Sequence, residues 1–209
     1  MNFAPQGSGA WLNARVGRLT ASNMAKAISF LKPDKQGNVR SSEERNKLMI
    51  DIVAQRLTGD QTPNFVNDAM RWGIEYEPHA KATWQAKTGI LIEDCGFILH
   101  PTIEHFGASP DGFVGQDTVI EIKCPTSSTH VAWLMKGEFP EQHKPQVLAQ
   151  LACTGRTKAI LVSYDPRMPF EQRMATWHWT PTEDEIKNIE QKAIQFLNEV
   201  DELFAKVTK

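Results

Sequence analysis

Ser109-Pro110-Asp111-Gly112, then Val119-Ile120-Glu121-Ile122-Lys123-Cys124-Pro125, place a Pro/Gly turn ahead of an apolar, β-branched run. Side chains alternate along a strand, so Glu121 and Lys123 share one face while Ile122 points into a core. Asp111 lies ten residues before Glu121, at the end of the preceding arm. A hairpin of that length returns the chain so that the two carboxylates meet. Two carboxylates and the Ile122 carbonyl form an oxygen-only donor set, the kind that Mg²⁺ takes. A lysine two residues past the glutamate is placed to orient and deprotonate a water, or to stabilise charge on a phosphate. Spacing alone does not decide this, because an E-x-K strand is often a solvated sheet face. The setting strengthens it: Val119, Ile120 and Ile122 surround the glutamate, and Pro110 and Gly112 bracket Asp111 in a tight turn.

Outward from this stretch, Ile90 to His100 reads as β-rich, and Phe106 precedes the turn. Helices are expected from about Ser127 to Met135 and from Pro145 to Cys153; the second carries Gln146 and Gln150 four apart on one face. Ala159 to Tyr164 is a continuous apolar run, as in a buried central strand, and Met174 to Trp179 reads as one more. Upstream, Thr20 to Phe30 reads as a short helix and Lys32 to Asn38 as a loop. A second helix opens at Ser41-Ser42-Glu43-Glu44 and runs to about Leu57 before Gly59. A third spans Asn67 to Lys87, with Glu77 on it, Gly89 as its stop and Pro78 as a kink or restart. Ile186, Ile189, Ala193, Leu197, Val200 and Phe204 recur at helical spacing behind Thr182, giving a long amphipathic C-terminal helix. The expected class is α/β, with a central mixed β-sheet flanked by helices.

The length of 209 residues and 41% hydrophobic content suit one domain. Its expected parts are a basic helical region over 10–60, a catalytic core over 67–180 and the final helix over 181–207. No apolar run reaches the ~20 residues of a membrane span, and Met1 to Gly9 lacks the pattern of a secretory signal. Three scattered cysteines, Cys95, Cys124 and Cys153, make neither a disulfide framework nor a metal knuckle, and they fit a reducing cytoplasm. The net charge is −2, yet nine Lys/Arg face four acids between Arg15 and Arg56. Such a region suits phosphate tracking, although an ordinary solvated face has the same charge.

Other chemistries find little support. The six histidines show no HExxH or paired zinc spacing, which leaves each, His143 included, as a surface or core residue. Gly107 to Asp111 misses the nucleophile elbow, and no GxxxxGK[ST] is present. The six tryptophans read as core fillers before base-stacking groups.

Asp111 with Glu121-Ile122-Lys123 has the Asp-x(n)-Glu-x-Lys arrangement of restriction-endonuclease-like nucleases. Ser109-Pro110-Asp111-Gly112 with Glu121 to Pro125 resembles the core of the phage lambda exonuclease family of viral recombination nucleases. Trp72-Gly73 with Tyr76-Glu77, and Trp11, Arg15, Gly17 and Thr20-Ala21-Ser22, resemble its upstream motifs. Pro145-Gln146-Val147 and Tyr164 to Met168 extend the likeness, which runs from residue 11 to 168. The resemblance implies a restriction-endonuclease-like fold and a Mg²⁺-dependent 5′-to-3′ exonuclease. Such an enzyme releases mononucleotides from duplex DNA ends and leaves 3′ single strands for annealing recombination. Two Mg²⁺ per site are implied, with Mn²⁺ able to substitute, held by Asp111, Glu121, Glu77 and the Ile122 carbonyl. Lys123 would activate the attacking water and Gln146 would support the scissile phosphate. Arg15, Ser22 and Ser109 would bind the 5′-terminal phosphate, a role that a guanidinium fork and hydroxyls also suit on chemical grounds. Further implications are a ring-shaped homotrimer, a single-strand annealing protein as partner, and a phage or prophage gene acting in a bacterial cytoplasm. The pattern departs at Leu148, where a second glutamine is expected, at Pro78 and in the loop 32–39. The competing readings are an endonuclease on the same fold and a non-catalytic DNA-binding module. An iron–sulfur exonuclease is disfavoured, since four clustered cysteines are lacking.

Overall fold

The computed structural model describes residues 4–61 and 67–209. Its centre is a four-stranded mixed sheet in the order β4 (Gly112–Val114), β5 (Thr118–Lys123), β6 (Lys158–Tyr164) and β7 (Met174–Trp179). β4 and β5 form the expected hairpin, with Gly112 opposite Ile120 and Val114 opposite Thr118. β5 and β6 run parallel from Thr118↔Lys158 to Lys123↔Ser163. The apolar composition of both strands follows from cover on both faces. Ile120 and Ile122 pack with Ala80 and Trp84 of α4 (Asp68–Thr88). Val119 packs with Val147 and Leu151 of α6 (Lys144–Thr154). Strand periodicity therefore turns Glu121, two residues from Val119, toward α6.

The expected central sheet is in fact two. β1 (Leu19–Thr20), β3 (Phe106–Ala108) and β2 (Ile98–Leu99) make a separate three-stranded sheet in the order β1-β3-β2. Residues 109–111 are accordingly a crossing between sheets, and the hairpin turn lies later, at Gly115 (φ +58°). The β-rich reading of 90–100 reduces to the strand Ile98–Leu99 and one bridge, Glu93 to Phe113. This segment has to pass from the edge of one sheet to the edge of the other, so it pairs only at its ends. The bridge explains Gly112: a Cβ there would lie 2.3 Å from the Ile92 methyl and 2.9 Å from the Glu93 carbonyl.

The helix expected over Thr20 to Phe30 shrinks to a 3-10 turn, Ala21–Asn23, and a single α turn, α2 (Met24–Ala27). Parallel pairing of Leu19 and Thr20 with Phe106 and Gly107 overrides the local preference. The remaining helices start and stop on their caps. Ahead of β1 lies the short α1 (Gly9–Asn13). Ser42 and Gly59 bound α3 (Glu43–Thr58), and Asn67 and Gly89 bound α4. α4 runs through Pro78 without a break. The carbonyl deprived of its donor belongs to Ile74, whose residue is 69% exposed, so water can satisfy it. α5 (Ser127–Lys136) follows β5.

Thr182 and Glu185 form a full capping box for α7 (Glu183–Val207). α7 buries Ile189, Ala193, Phe196, Leu197 and Val200 against the cluster that holds α3 and α6. It is fixed by Arg45 of α3, whose guanidinium makes two 2.8 Å bonds to Glu199 and a third of 2.8 Å to the Ala27 carbonyl. Arg45 is 1% exposed, so losing Glu199 would strand a buried charge, at a cost of about 3–5 kcal/mol. Among the described residues no helix is long and apolar enough to cross a membrane.

Candidate active site

Glu121 is 2% exposed. Its carboxylate survives burial because α6 and its own strand supply donors. Gln146 donates to Oε1 at 2.6 Å and Gln150, one turn later, to Oε2 at 2.5 Å. Lys123 Nζ, on the same strand face, donates to Oε1 at 2.5 Å and to the Gln146 amide oxygen at 3.4 Å. At Leu148, where the resemblance leads to a second glutamine, no such contact forms, and the second amide on Glu121 comes from Gln150, one helical turn after Gln146. Leu148 instead packs against the core shared with α3 and α7.

Asp111 closes the site from the crossing segment. Its Oδ2 accepts the Ile122 N–H at 2.6 Å, and its own N–H donates to the Ile120 carbonyl at 3.2 Å. Lys81 of α4 donates to the Asp111 carbonyl at 3.3 Å and also pairs with Asp94. Glu77, one turn before Lys81, faces a cleft of about 450 Å³ together with Ile122, Lys123, Cys124 and His143. His143 was read from sequence as an ordinary surface or core residue. Its place on the cleft wall was detectable only as a position one turn ahead of Gln146.

The acids repel one another. Burial, then the charges of Glu121 and Glu77, push the Asp111 carboxyl well above the usual range. Burial, then Glu121, raise Glu77 as well. Burial alone would lower the Lys123 ammonium, but Glu121 and Asp111 outweigh it and hold it above its ordinary value. Burial, and then Lys123, drop His143 to about 4. Among the described residues no three acids, histidines or cysteines stand together as a ready cage for a metal. The donor set nevertheless fits a hard divalent cation. It is built of carboxylates and a carbonyl, and its excess negative charge is what an added cation would relieve.

Arg15, Ser22 and Ser109, far apart in sequence, come together. The Arg15 guanidinium lies 3.4 Å from the Ser109 hydroxyl and 3.4 Å from the Ser22 hydroxyl. Trp11 donates its indole N–H to Ser109 at 2.9 Å and lies under the Arg15 guanidinium, 4.2 Å from its ring centroid. Burial lowers Arg15 to about 10, which leaves it charged at neutral pH. Among the described residues no carboxylate pairs with it. The arrangement is a desolvated cation with two hydroxyls and no internal anion, the form of an anion site. Arg15 and Ser22 line a second cleft, of about 550 Å³, and Met70 borders both clefts. Of the six tryptophans, Trp84 and Trp133 are buried as expected, Trp133 also lining the first cleft, while Trp11 and Trp72 are partly exposed.

The family model described as the YqaJ-like viral recombinase domain matches residues 10–157. The chain is similar over 96% of its length, and 96% of the other chain's, to the crystal structure of an alkaline exonuclease, LHK-Exo, from Laribacter hongkongensis. The sequences are 35% identical and the TM-score is 0.86. LHK-Exo in complex with dAMP matches at 36% identity with the same TM-score of 0.86. A phage-related exonuclease from Haemophilus somnus 129PT, 13% identical, covers 91% of the chain at a TM-score of 0.67 and supports the fold alone. Among curated proteins none matches the sequence.

Proposed function

The chain belongs to the YqaJ-like viral recombinase domain family, a family of nucleases, and on that footing we propose that it is a 5′-to-3′ exonuclease of duplex DNA that releases mononucleotides and leaves 3′ single strands for annealing. One observation carries the reading: Asp111, Glu121 and Lys123 meet under Gln146 and Gln150, while the unpaired cation Arg15 reaches Ser109, two residues from Asp111. LHK-Exo, solved with and without dAMP, supports both the exonuclease activity and a mononucleotide product.

In this reading Asp111, Glu121, Glu77 and the Ile122 carbonyl hold two divalent cations, Mg²⁺ with Mn²⁺ as a substitute. When bound, such cations lower the pKa of water and neutralise charge on the phosphate and the leaving oxygen. Lys123 Nζ, on the strand face of Glu121 and bonded to it, would orient the attacking water and accept its proton once bound cations offset the acidic charge that raises its ammonium. Gln146 and Gln150 fix the Glu121 carboxylate, and Gln146 also faces the scissile phosphate. Arg15, Ser22 and Ser109 receive the terminal 5′ phosphate, which sets the scissile bond one step inward, over Asp111. The resemblance further supports a ring-shaped homotrimer and a single-strand annealing protein as partner. It also supports a phage or prophage origin with action in the bacterial cytoplasm, and one nuclease domain spanning 1–209.

Glu121→Ala or Lys123→Ala is expected to abolish cleavage of linear duplex while leaving far-UV circular dichroism and duplex binding near wild type. Cleavage retained by a clean preparation of either variant would remove these residues from the site.

A further inference from the structure

Arg167, in the loop after β6, has no part in the chemistry above, yet it joins the two elements that carry that chemistry. Its partner Asp165 is fully buried. That carboxylate accepts the Ser127 hydroxyl at 2.6 Å, the Arg167 N–H at 3.0 Å, and the guanidinium at 2.7 Å through Nε and 3.0 Å through Nη2. So many bonds to one carboxylate fix the guanidinium plane. Nη2 also donates to the Pro125 carbonyl at 3.4 Å, two residues past Lys123. The guanidinium lies 4.3 Å from the centroid of Trp72, and Trp72 packs on Tyr76 with centroids 4.0 Å apart and ring planes tilted by 31°. Tyr76 is the neighbour of Glu77 on α4.

The ends of β5 and β6 are thereby tied to the half of α4 that precedes Glu77. Among the described residues, burial of α4 itself is confined to its other half. Its buried side chains, Ala80 and Trp84, all lie after Glu77, while before Glu77 the residues Ala69, Met70, Gly73 and Ile74 border the open cleft. We propose that the Asp165–Arg167–Trp72 stack is a positioning device that sets the placement of Glu77 over β5. The inference rests on the reading that Glu77 serves the nuclease site.

A double-mutant cycle on the full chain tests it, read as kcat and KM for mononucleotide release from a 5′-phosphorylated duplex with Mn²⁺. Trp72→Leu removes the face under Arg167 and leaves the Asp165 pair intact. It should lower kcat about tenfold, the scale of outer-shell support at a metal site, with KM within about twofold. Trp72→Phe, which keeps a π face, should restore most of that loss. In a Glu77→Ala background Trp72→Leu should cost less than about twofold, because coupled residues are non-additive. Equal losses in both backgrounds would overturn the inference and leave the stack a support of folding alone. Wild-type activity in Glu77→Ala would instead overturn the assignment of Glu77 itself. If Trp72→Leu does not fold, Arg167→Lys, which keeps a cation for Asp165 but gives up the fork and the stack, enters the same cycle with the same two outcomes.

Discussion

The acidic cleft and the amino-terminal pocket touch the same short crossing segment, at Asp111 and Ser109, yet their electrostatics are opposite. In the cleft, acids crowd together: Asp111 and Glu77 are held above the usual carboxylate range by burial and by neighbouring negative charge. In the pocket, Arg15 is desolvated with hydroxyls and rings around it, and although Glu44 and Asp51 line the same cleft, none of the described acids forms an ion pair with it. A protein built for stability alone would have set such charges against each other, as it does with Arg45 and Glu199. Holding the acids and Arg15 on neighbouring residues of the crossing, Asp111 and Ser109, without pairing them to each other is expected where each region waits for an external partner. A cation suits the first region and a phosphate the second.

The comparison can be broken at either end. Gln150→Leu attacks the acidic side indirectly. Gln150 is fully buried and donates to Glu121 although its own Oε1 finds no partner among the described residues. A buried acceptor left unsatisfied costs about 1–3 kcal/mol, so the amide is kept for the glutamate. The substitution should reduce cleavage about 10- to 100-fold and raise the Mg²⁺ concentration needed for half-maximal rate. An unchanged Mg²⁺ requirement would mean that Glu121 does not hold the cation. Arg15→Ala attacks the cationic side. Preference for a 5′-phosphorylated over a 5′-hydroxyl end should fall about tenfold or more, as expected for a lost charged hydrogen bond, and cation dependence should persist. If both ends are still distinguished as in wild type, the phosphate binds elsewhere.

A smaller effect sharpens the acidic half. The raised Asp111 and Glu77 carboxyls favour the cation-free folded state at low pH, and this contribution is lost as pH rises through their raised values. A bound divalent cation favours the ionised forms. Mg²⁺ should therefore raise Tm by more at about pH 7.5 than at about pH 5, in differential scanning fluorimetry. Equal shifts at both pH values would argue that the acids do not bind the ion.

Much of this was legible in the sequence because its signals are local. The alternation in 119–123 was enough for the strand and for the face of Glu121, whereas the Pro-Asp-Gly stretch read as a turn is the crossing between sheets. Capping residues Ser42, Asn67 and Thr182, with Gly59 and Gly89, set helix ends within a residue or two. The losses are long-range. Division into two sheets depends on β1 pairing with β3, across more than eighty residues, and no local signal encodes that. The pairing also shortened the helix read over Thr20 to Phe30. Gln150 was visible as a neighbour of Gln146, but its bond to Glu121 depends on how α6 lies across β5. Arg167 belonged to a recognised stretch without a physical role until its contact with Trp72 was in hand.

The most direct test is digestion with Mg²⁺ of a linear duplex labelled at the 5′ or the 3′ end, beside a closed circle. Rapid release of the 5′ label as mononucleotide, with the circle untouched, is the predicted result. Cutting of the circle would contradict it in favour of an endonuclease on the same fold, and the absence of any cleavage would leave a DNA-binding module in place of an enzyme.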